Sequence, residues 1–274
     1  NFMLFENAEI NWAKNINVIC GENSTGKTTL LKVLYSVLKP LSKGSKTAVN
    51  KEMEEQLFVS KLQGVFRPDE MKIGRLVKRK QGSSRTDFEV LLDKNQKISI
   101  GFGNRQENHA DIKVEVCRTS AKYDAIYIPT KEMISTTEHF SSLYEEYHID
   151  FEEVYYDLAK LLDRPLSKGP NTNEQNEVLK SFEEIMKGQI VQRDKKFYLK
   201  IRGEGEFEMG LLSDGYRKLA MIVYLILSGS MNKNTILFWD EPETNMNPKM
   251  IRPIVQALVA LAKMGVQIFI TTHD

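Results

Sequence analysis

The chain has 274 residues, of which 41% are hydrophobic and 27% charged, and its formal net charge at pH 7 is +1. This length and composition predict a globular protein with a substantial core, and the balanced charge argues against a surface that coats nucleic acid. A membrane-spanning helix requires about 18 consecutive apolar residues, and no apolar run in this sequence approaches that length. Two cysteines without a recognisable pattern favour a reducing, cytoplasmic location. Because the chain lacks an initial Met and stops directly after a motif, we expect a fragment.

Apolar and polar residues alternate over 2–12, which predicts a short antiparallel hairpin. A compact apolar strand at 16–20, a loop that contains glycine and a helix at 28–38 follow it, and Pro40 ends the helix. In the middle of the chain we predict helices at 48–66, 140–162 and 174–186, and strands within 73–116 and at 123–128, 196–201 and 206–211. The C-terminal part alternates again, with helices at 216–227 and 248–264 and strands at 236–239 and 266–270.

The loop after the strand at 16–20 matches the phosphate-loop pattern G-x-x-x-x-G-K-[ST] at every fixed position. The predicted nucleotide-binding residues here are Gly21, Glu22, Asn23, Ser24, Thr25, Gly26, Lys27, Thr28 and Thr29. Glycines allow successive backbone N–H groups to face one phosphate chain, and the helix N-terminus adds a favourable dipole. Lys27 would contact the β- and γ-phosphates, and the Thr28 hydroxyl would bind Mg²⁺. A chance match is disfavoured because the motif lies between a predicted strand and a predicted helix.

A second motif is an apolar strand that ends in two acids, Asp240 and Glu241. A buried strand would carry Asp240 to the C-terminal edge of the sheet beside the phosphate loop, where it can bind Mg²⁺ directly or through water. Glu241 would then orient or deprotonate the attacking water as the catalytic base. The alternative is an edge strand that ends in solvated acids, which is common for such a motif in isolation.

A third motif is Ser213 and Gly215 before an apolar helix. At this point the chain resembles the ABC ATPase superfamily, whose signature reads Leu-Ser-Gly-Gly-Gln. Asp214 and Tyr216 depart from that signature, as in the SMC-like branch of chromosome-maintenance, DNA-repair and defence ATPases. A Ser and a Gly at a helix N-terminus can bind an anion, and the resemblance implies contact with the γ-phosphate held by the other subunit. The alternative is an ordinary helix cap.

The resemblance extends to residues 242–248, which are similar to the D-loop that crosses the dimer interface in this superfamily. It also implies that His273, after the last strand, is the switch histidine that contacts the γ-phosphate. A lone histidine is more often structural or solvated, but the end of a core strand favours the functional interpretation. The superfamily's Gln after the strand at 123–128 is missing, and Glu132 or Lys131 stands near its place.

The strings WDEPETN at 239–245 and TTHD at 271–274 resemble a prokaryotic group of AAA-type ATP-binding proteins. This group includes the Septu and retron-associated defence ATPases and the overcoming-lysogenization-defect nucleases. The resemblance is specific over about residues 16–39 and 210–274, and the middle of the chain is only loosely covered.

Two clusters leave alternatives open. The best candidate for a nucleic-acid contact is basic and comprises Lys72, Arg75, Lys78, Arg79, Lys80 and Arg85. Such patches bind phosphates electrostatically, but a solvated strand face is favoured because acids elsewhere balance the charge and no aromatic residues are interleaved. The stretch at 144–156 is rich in Tyr and Glu. It could dock a partner, although an ordinary helical lobe is favoured.

These observations predict an α/β fold of the P-loop NTPase type. We expect an ABC-ATPase-like head with a mostly parallel sheet, an antiparallel β subdomain and an inserted helical lobe. One domain is expected over 1–274, with the nucleotide-binding core at 1–40 and 210–274 and the β subdomain and helical insert at 41–209.

The expected activity is Mg²⁺-dependent ATP hydrolysis in a head-to-tail homodimer that encloses two ATP molecules, with Lys27, Glu241 and His273 as the catalytic residues. The expected role is sensing or gating of nucleic-acid processing in anti-phage defence, with a nuclease or other effector as partner, nucleic acid as a candidate ligand and no membrane. The alternatives are a DNA-repair or chromosome-maintenance ATPase, a transporter motor and a clamp that does not hydrolyse ATP. The altered signature disfavours the transporter, and intact Lys27, Asp240 and Glu241 disfavour the clamp.

Overall fold

The computed structural model describes residues 1–42, 50–93, 96–115, 123–147, 149–193 and 196–273. Its contacts divide the chain into two compact units. The first unit comprises Asn1–Trp12, Cys20–Ala125 and His273, and the second comprises Ala13–Ile19 and Ile126–Thr272. The expectation of one domain with boundaries near residues 40 and 210 stays a prediction.

The first unit combines two helices with an antiparallel sheet. Helix α1 spans Lys27–Leu38 and α2 spans Lys51–Phe66. The strands are β2 (Arg85–Asp93), β3 (Gln96–Gly103) and β4 (Asp111–Glu115), in the order β2-β3-β4. Apolar side chains of α2 and β3 form the core of this unit, among them Phe58, Leu62, Ile98 and Phe102, each of which is fully buried.

The predicted N-terminal hairpin is wrong. Phe2 makes only isolated bridges with Phe5 and Val77. Its ring is buried and meets the rings of Phe66 and Phe88 edge to face, each with a centroid separation of 5.4 Å. Phe2 is therefore packed into the core of this unit. This tertiary packing outweighs the local alternating pattern that predicted a hairpin.

The second unit is built around a four-stranded sheet with the order β1-β10-β9-β5. Its strands are β1 (Ile16–Cys20), β5 (Asp124–Ile128), β9 (Thr235–Asp240) and β10 (Gln267–Thr272). Strands β9 and β10 pair in parallel, with Asp240 opposite Thr271. A three-stranded antiparallel sheet accompanies it, formed by β6 (Gly188–Arg193), β7 (Lys196–Ile201) and β8 (Gly205–Glu208).

Five helices complete the second unit. They are α3 (Phe140–Tyr147), α4 (Glu153–Leu162), α5 (Asn173–Met186), α6 (Asp214–Leu227) and α7 (Ile251–Lys263). Helix α6 is buried along most of its length, because nearly every residue after its first turn is apolar. The predicted helix at 140–162 forms as two helices, and the predicted strand at 206–211 ends at Glu208.

The predicted fold class is confirmed: the protein is a mixed α/β structure with parallel pairing in its main sheet and two antiparallel sheets. Across the described residues, every helix is too short or too polar to cross a bilayer.

Candidate functional site

The phosphate-loop motif of the first unit forms a tight turn into α1. Gly26, at the N-terminal cap of the helix, has a φ of 96°, and Ser24 has a φ of 61°. A side chain at Gly26 would be strained by this left-handed backbone, and its Cβ would lie 2.7 Å from the Phe5 ring. The second fixed glycine of the motif is therefore required by both conformation and space.

Lys27 lies in the first turn of α1 and is only 6% exposed. Its Nζ donates to the carbonyl oxygens of Gly21 at 2.7 Å and Glu22 at 2.8 Å. The same atom lies 3.3 Å from Nδ1 of His273, which is 246 positions away in the chain. An anionic phosphate oxygen is a stronger acceptor than these neutral carbonyls, so a nucleotide can compete for the amine.

The remaining motif residues differ in exposure. Glu22, Asn23, Ser24 and Thr25 are exposed, whereas Thr28 and Thr29 are partly buried in the first turn of α1. Thr25 Oγ1 donates to the carbonyl oxygen of Glu22 at 2.9 Å, which stabilises the turn. The loop therefore presents polar groups to solvent while the lysine lies beneath it.

Asp240 ends β9 in the second unit and is 6% exposed. Its carboxylate accepts a hydrogen bond from Thr271 Oγ1 at 2.6 Å and another from the Tyr127 hydroxyl at 3.2 Å. Burial, and then the charge of Asp240, raise the pKa of Tyr127 well above its usual value, so this phenol stays protonated and donates. Two neutral hydroxyls thus orient the buried Asp240 carboxylate.

Glu241 follows with an unusual backbone. Its φ is 46°, a left-handed conformation that costs a residue with a side chain roughly 1 kcal/mol or more. Its N–H donates to Thr271 Oγ1 at 3.0 Å, and Oε2 accepts from Thr244 Oγ1 at 3.2 Å. The hydroxyl of Thr271 contacts both acids, as a donor to Asp240 and as an acceptor from the Glu241 N–H.

Three partners of these acids were not singled out as site residues from the sequence: Tyr127, Thr271 and Thr244. The first two occupy β5 and β10, the strands on either side of β9, and Thr271 is paired with Asp240 in register. Threonine and tyrosine are ordinary strand residues, so the signals in the sequence were the strings TTHD at 271–274 and WDEPETN at 239–245, which contain the two threonines.

The signature residues lie at the start of α6. Ser213 is the N-terminal cap residue and is exposed, but its side chain makes no capping hydrogen bond. Gly215 is buried, and a Cβ there would lie 3.0–3.3 Å from three side-chain atoms of Met250. The interpretation of Ser213 as an ordinary side-chain cap is therefore not supported.

Two of the departures from the superfamily pattern, Asp214 and Glu132, share one partner. Arg217 pairs with Asp214, which replaces the first glycine of the signature. Its Nε also lies 3.0 Å from Oε1 of Glu132, near the expected place of the missing Gln. Glu132 is oriented further by Ser135, whose N–H donates to it at 3.2 Å. The guanidinium thus offsets two partly buried carboxylates and connects the loop after β5 to the signature helix.

The basic cluster of the first unit is largely paired with acids. Its ion pairs are Lys72 with Glu70 and Glu107, Arg75 with Asp69, Lys78 and Lys80 with Glu6, and Arg85 with Asp87 and Asp111. Local acids therefore balance most of the positive charge, which favours the interpretation as a solvated surface.

In the parts of the chain that the structure describes, no group of three or more His, Cys, Asp or Glu side chains is arranged to hold a metal. Mg²⁺ prefers oxygen ligands and is commonly bound through one or two carboxylates together with substrate phosphates. The assignment of Thr28 and Asp240 as its ligands stays a prediction.

Comparisons with known proteins identify the family and the fold of the chain. The family described as "AAA domain, putative AbiEii toxin, Type IV TA system" matches residues 16–274. The Old nuclease of Escherichia phage P2 is 38% identical over 62 residues, which are 21% of this chain and 11% of the nuclease. The chain thus matches about a tenth of the length of that relative.

Solved structures with a similar fold include heads of SMC proteins. An SMC head bound to the C-terminal winged-helix domain of ScpA has a TM-score of 0.57 at 11% identity, over 100% of this chain and 87% of that one. The SMC head domain from Thermotoga maritima has a TM-score of 0.49 at 12% identity, over 100% and 86%. Because this family model matches nearly the whole length of the chain, the chain belongs to the family described as "AAA domain, putative AbiEii toxin, Type IV TA system".

Proposed function

We propose that the protein is a Mg²⁺-dependent ATPase that hydrolyses ATP as a head-to-tail dimer. The observation that carries the proposal is the buried Lys27 amine, which lies within hydrogen-bond distance of two phosphate-loop carbonyls and of His273. Two motifs from opposite ends of the chain therefore meet at one cation. A cation at the N-terminus of α1, below a loop with exposed polar groups, suits the polyphosphate of a nucleotide.

Each proposed catalytic residue has a distinct task. Lys27 contacts the β- and γ-phosphates, and His273 contacts the γ-phosphate. Thr28 and Asp240 hold Mg²⁺, which when bound neutralises charge that develops on the phosphate oxygens. Glu241 orients and deprotonates the attacking water. The hydroxyls of Tyr127 and Thr271 donate to the Asp240 carboxylate and orient it, which suits a residue that would hold Mg²⁺.

The proposed dimer depends on the signature. Ser213 is exposed and makes no capping bond, so its hydroxyl and the N-terminus of α6 are available to an anion. We propose that this anion is the γ-phosphate bound by the partner subunit. A two-fold interface then forms two equivalent composite sites.

The proposed biological role is control of nucleic-acid processing in anti-phage defence, together with a nuclease or another effector protein. The short match to the Old nuclease supports this role. Asp214 and its partner Arg217 mark a signature that departs from the transporter pattern, which disfavours a transport motor.

The direct test measures ATP hydrolysis by the purified wild type with Mg²⁺ and with EDTA. The variants Lys27→Ala and Glu241→Gln are measured under the same conditions. We expect full turnover only for the wild type with Mg²⁺, slow hydrolysis by Glu241→Gln and almost none by Lys27→Ala. Both variants should retain the wild-type melting temperature to within a few degrees. Absence of hydrolysis by the folded wild-type dimer, or full activity of either variant, would overturn the proposal.

A further inference from the structure

Lys218 is a buried cation that the proposed chemistry does not use. It lies in α6, and its side chain is 1% exposed. Its Nζ donates to the carbonyl oxygen of Pro242 at 3.1 Å and to that of Thr244 at 2.8 Å. A buried ammonium destabilises the fold unless acceptors replace the hydrogen bonds that it made with water. The burial of Lys218 therefore depends on these two carbonyls. The amine therefore joins the signature helix to the segment that follows Glu241.

The surroundings of Lys218 are acidic. Burial lowers its pKa, and the charges of Asp214, Glu243, Glu132 and Glu241 act in the opposite direction. The amine thus lies in the electrostatic field of several carboxylates, among them the proposed catalytic base. Neutral replacement of the lysine would leave these acids with one fewer compensating charge.

A short chain of hydrogen bonds connects Lys218 to the Glu241 carboxylate. Lys218 binds the backbone oxygen of Thr244, and the side-chain hydroxyl of Thr244 donates to Glu241 Oε2 at 3.2 Å. The backbone N–H of Thr244 also donates to the carbonyl oxygen of Glu241 at 3.1 Å. Since Glu241 has a left-handed φ, its conformation depends on such neighbours.

We propose that Lys218 is a positioning residue that connects the signature helix to Glu241. A shift of α6, which carries Ser213, would move the carbonyls of residues 242 and 244 and with them the catalytic carboxylate. Occupation of the signature by the partner's γ-phosphate would then set the orientation of Glu241 in the same subunit. This inference rests on the proposed ATPase function and adds a route by which one site regulates the other.

The test compares the kinetics of Lys218→Met and Thr244→Val in the full chain. Met keeps the length of the side chain without its charge or donors, and Val keeps the shape of Thr without its hydroxyl. We expect kcat to fall ~10²-fold for Lys218→Met, which is the size of a catalytic misplacement of about 1 Å, and ~10-fold for Thr244→Val. The Kd for ATP should stay within about twofold, because a misplaced base affects the chemical step and not ground-state binding.

Two comparisons separate positioning from a general loss of structure. Thr244→Ser, which keeps the hydroxyl, should recover most of the lost rate, and the exposed Lys180→Met should behave as the wild type. The double variant Lys218→Met/Thr244→Val should be no slower than Lys218→Met alone, because both changes break the same connection.

The possible outcomes are distinguishable. If the wild type does not hydrolyse ATP, or if Glu241→Gln keeps full activity, the proposed function fails and the role of Lys218 fails with it. If Glu241→Gln is inactive but folded Lys218→Met keeps the wild-type kcat, only the positioning role is overturned. Multiplicative effects in the double variant would also overturn it. Should Lys218→Met not fold, Thr244→Val decides, and an unchanged kcat in that variant refutes the connection.

Discussion

Thr271→Val removes the hydroxyl that connects Asp240 to Glu241 and preserves the shape of the side chain. Thr271 is fully buried, donates to the Asp240 carboxylate at 2.6 Å and accepts from the Glu241 N–H at 3.0 Å. A hydrogen bond to a charged group contributes about 1.5–3 kcal/mol and one between neutral groups about 0.5–1.5 kcal/mol. Because valine opens no cavity, we expect the free energy of unfolding to fall by about 2–4 kcal/mol.

Thermal unfolding and steady-state ATP hydrolysis measure the two consequences. For a protein of this size, a loss of about 2–4 kcal/mol lowers the melting temperature by several degrees. The hydrolysis rate should fall at least ~10-fold, since 1.4 kcal/mol of lost transition-state stabilisation already has that effect. Thr271→Ser keeps the hydroxyl and is the matched control. If Thr271→Val equals Thr271→Ser in both melting temperature and rate, the two hydrogen bonds do not orient these acids and the reasoning is refuted.

Three further predictions concern the proposed ATPase. Lys27→Ala should nearly abolish ATP binding in calorimetry, because it removes the main fixed positive charge of the phosphate loop, whereas the exposed Lys51→Ala should not. Glu241→Gln should bind ATP normally, hydrolyse it slowly and accumulate as a dimer with ATP and Mg²⁺ in size exclusion with light scattering. Lys27→Ala and Ser213→Arg should each be inactive, yet a mixture of the two should recover part of the activity through heterodimers that contain one intact site.

Each of these has an outcome that contradicts it. Unchanged ATP affinity in Lys27→Ala removes the phosphate-loop assignment, and a wild-type rate in Glu241→Gln removes the assignment of the base. For the mixture, strict coupling of both sites could hide complementation, so the decisive measurement is a nucleotide-bound dimer structure. Finding Ser213 remote from every γ-phosphate in that structure would exclude the composite site.

Local sequence determined the elements of this protein wherever a short segment contained the whole physical reason for its conformation. The phosphate-loop pattern between an apolar strand and an amphipathic helix predicts both the turn and the helix that begins at Lys27. The apolar run before Asp240 likewise predicts a buried strand that ends at that acid. Glycine conformation, helix periodicity and strand burial act within a few residues, so a single sequence reveals them.

Tertiary structure alone decided which side chains meet. Tyr127 contacts Asp240 across 113 positions of the chain, and Lys27 meets His273 across 246. Arg217 joins Glu132 to Asp214, so one departure from the signature and one near the missing Gln form a single ion-pair group. The same cause explains the missing hairpin, because Phe2 packs between Phe66 and Phe88 instead of pairing with its neighbours. Such contacts depend on strand order and core packing, which no local pattern of residues encodes.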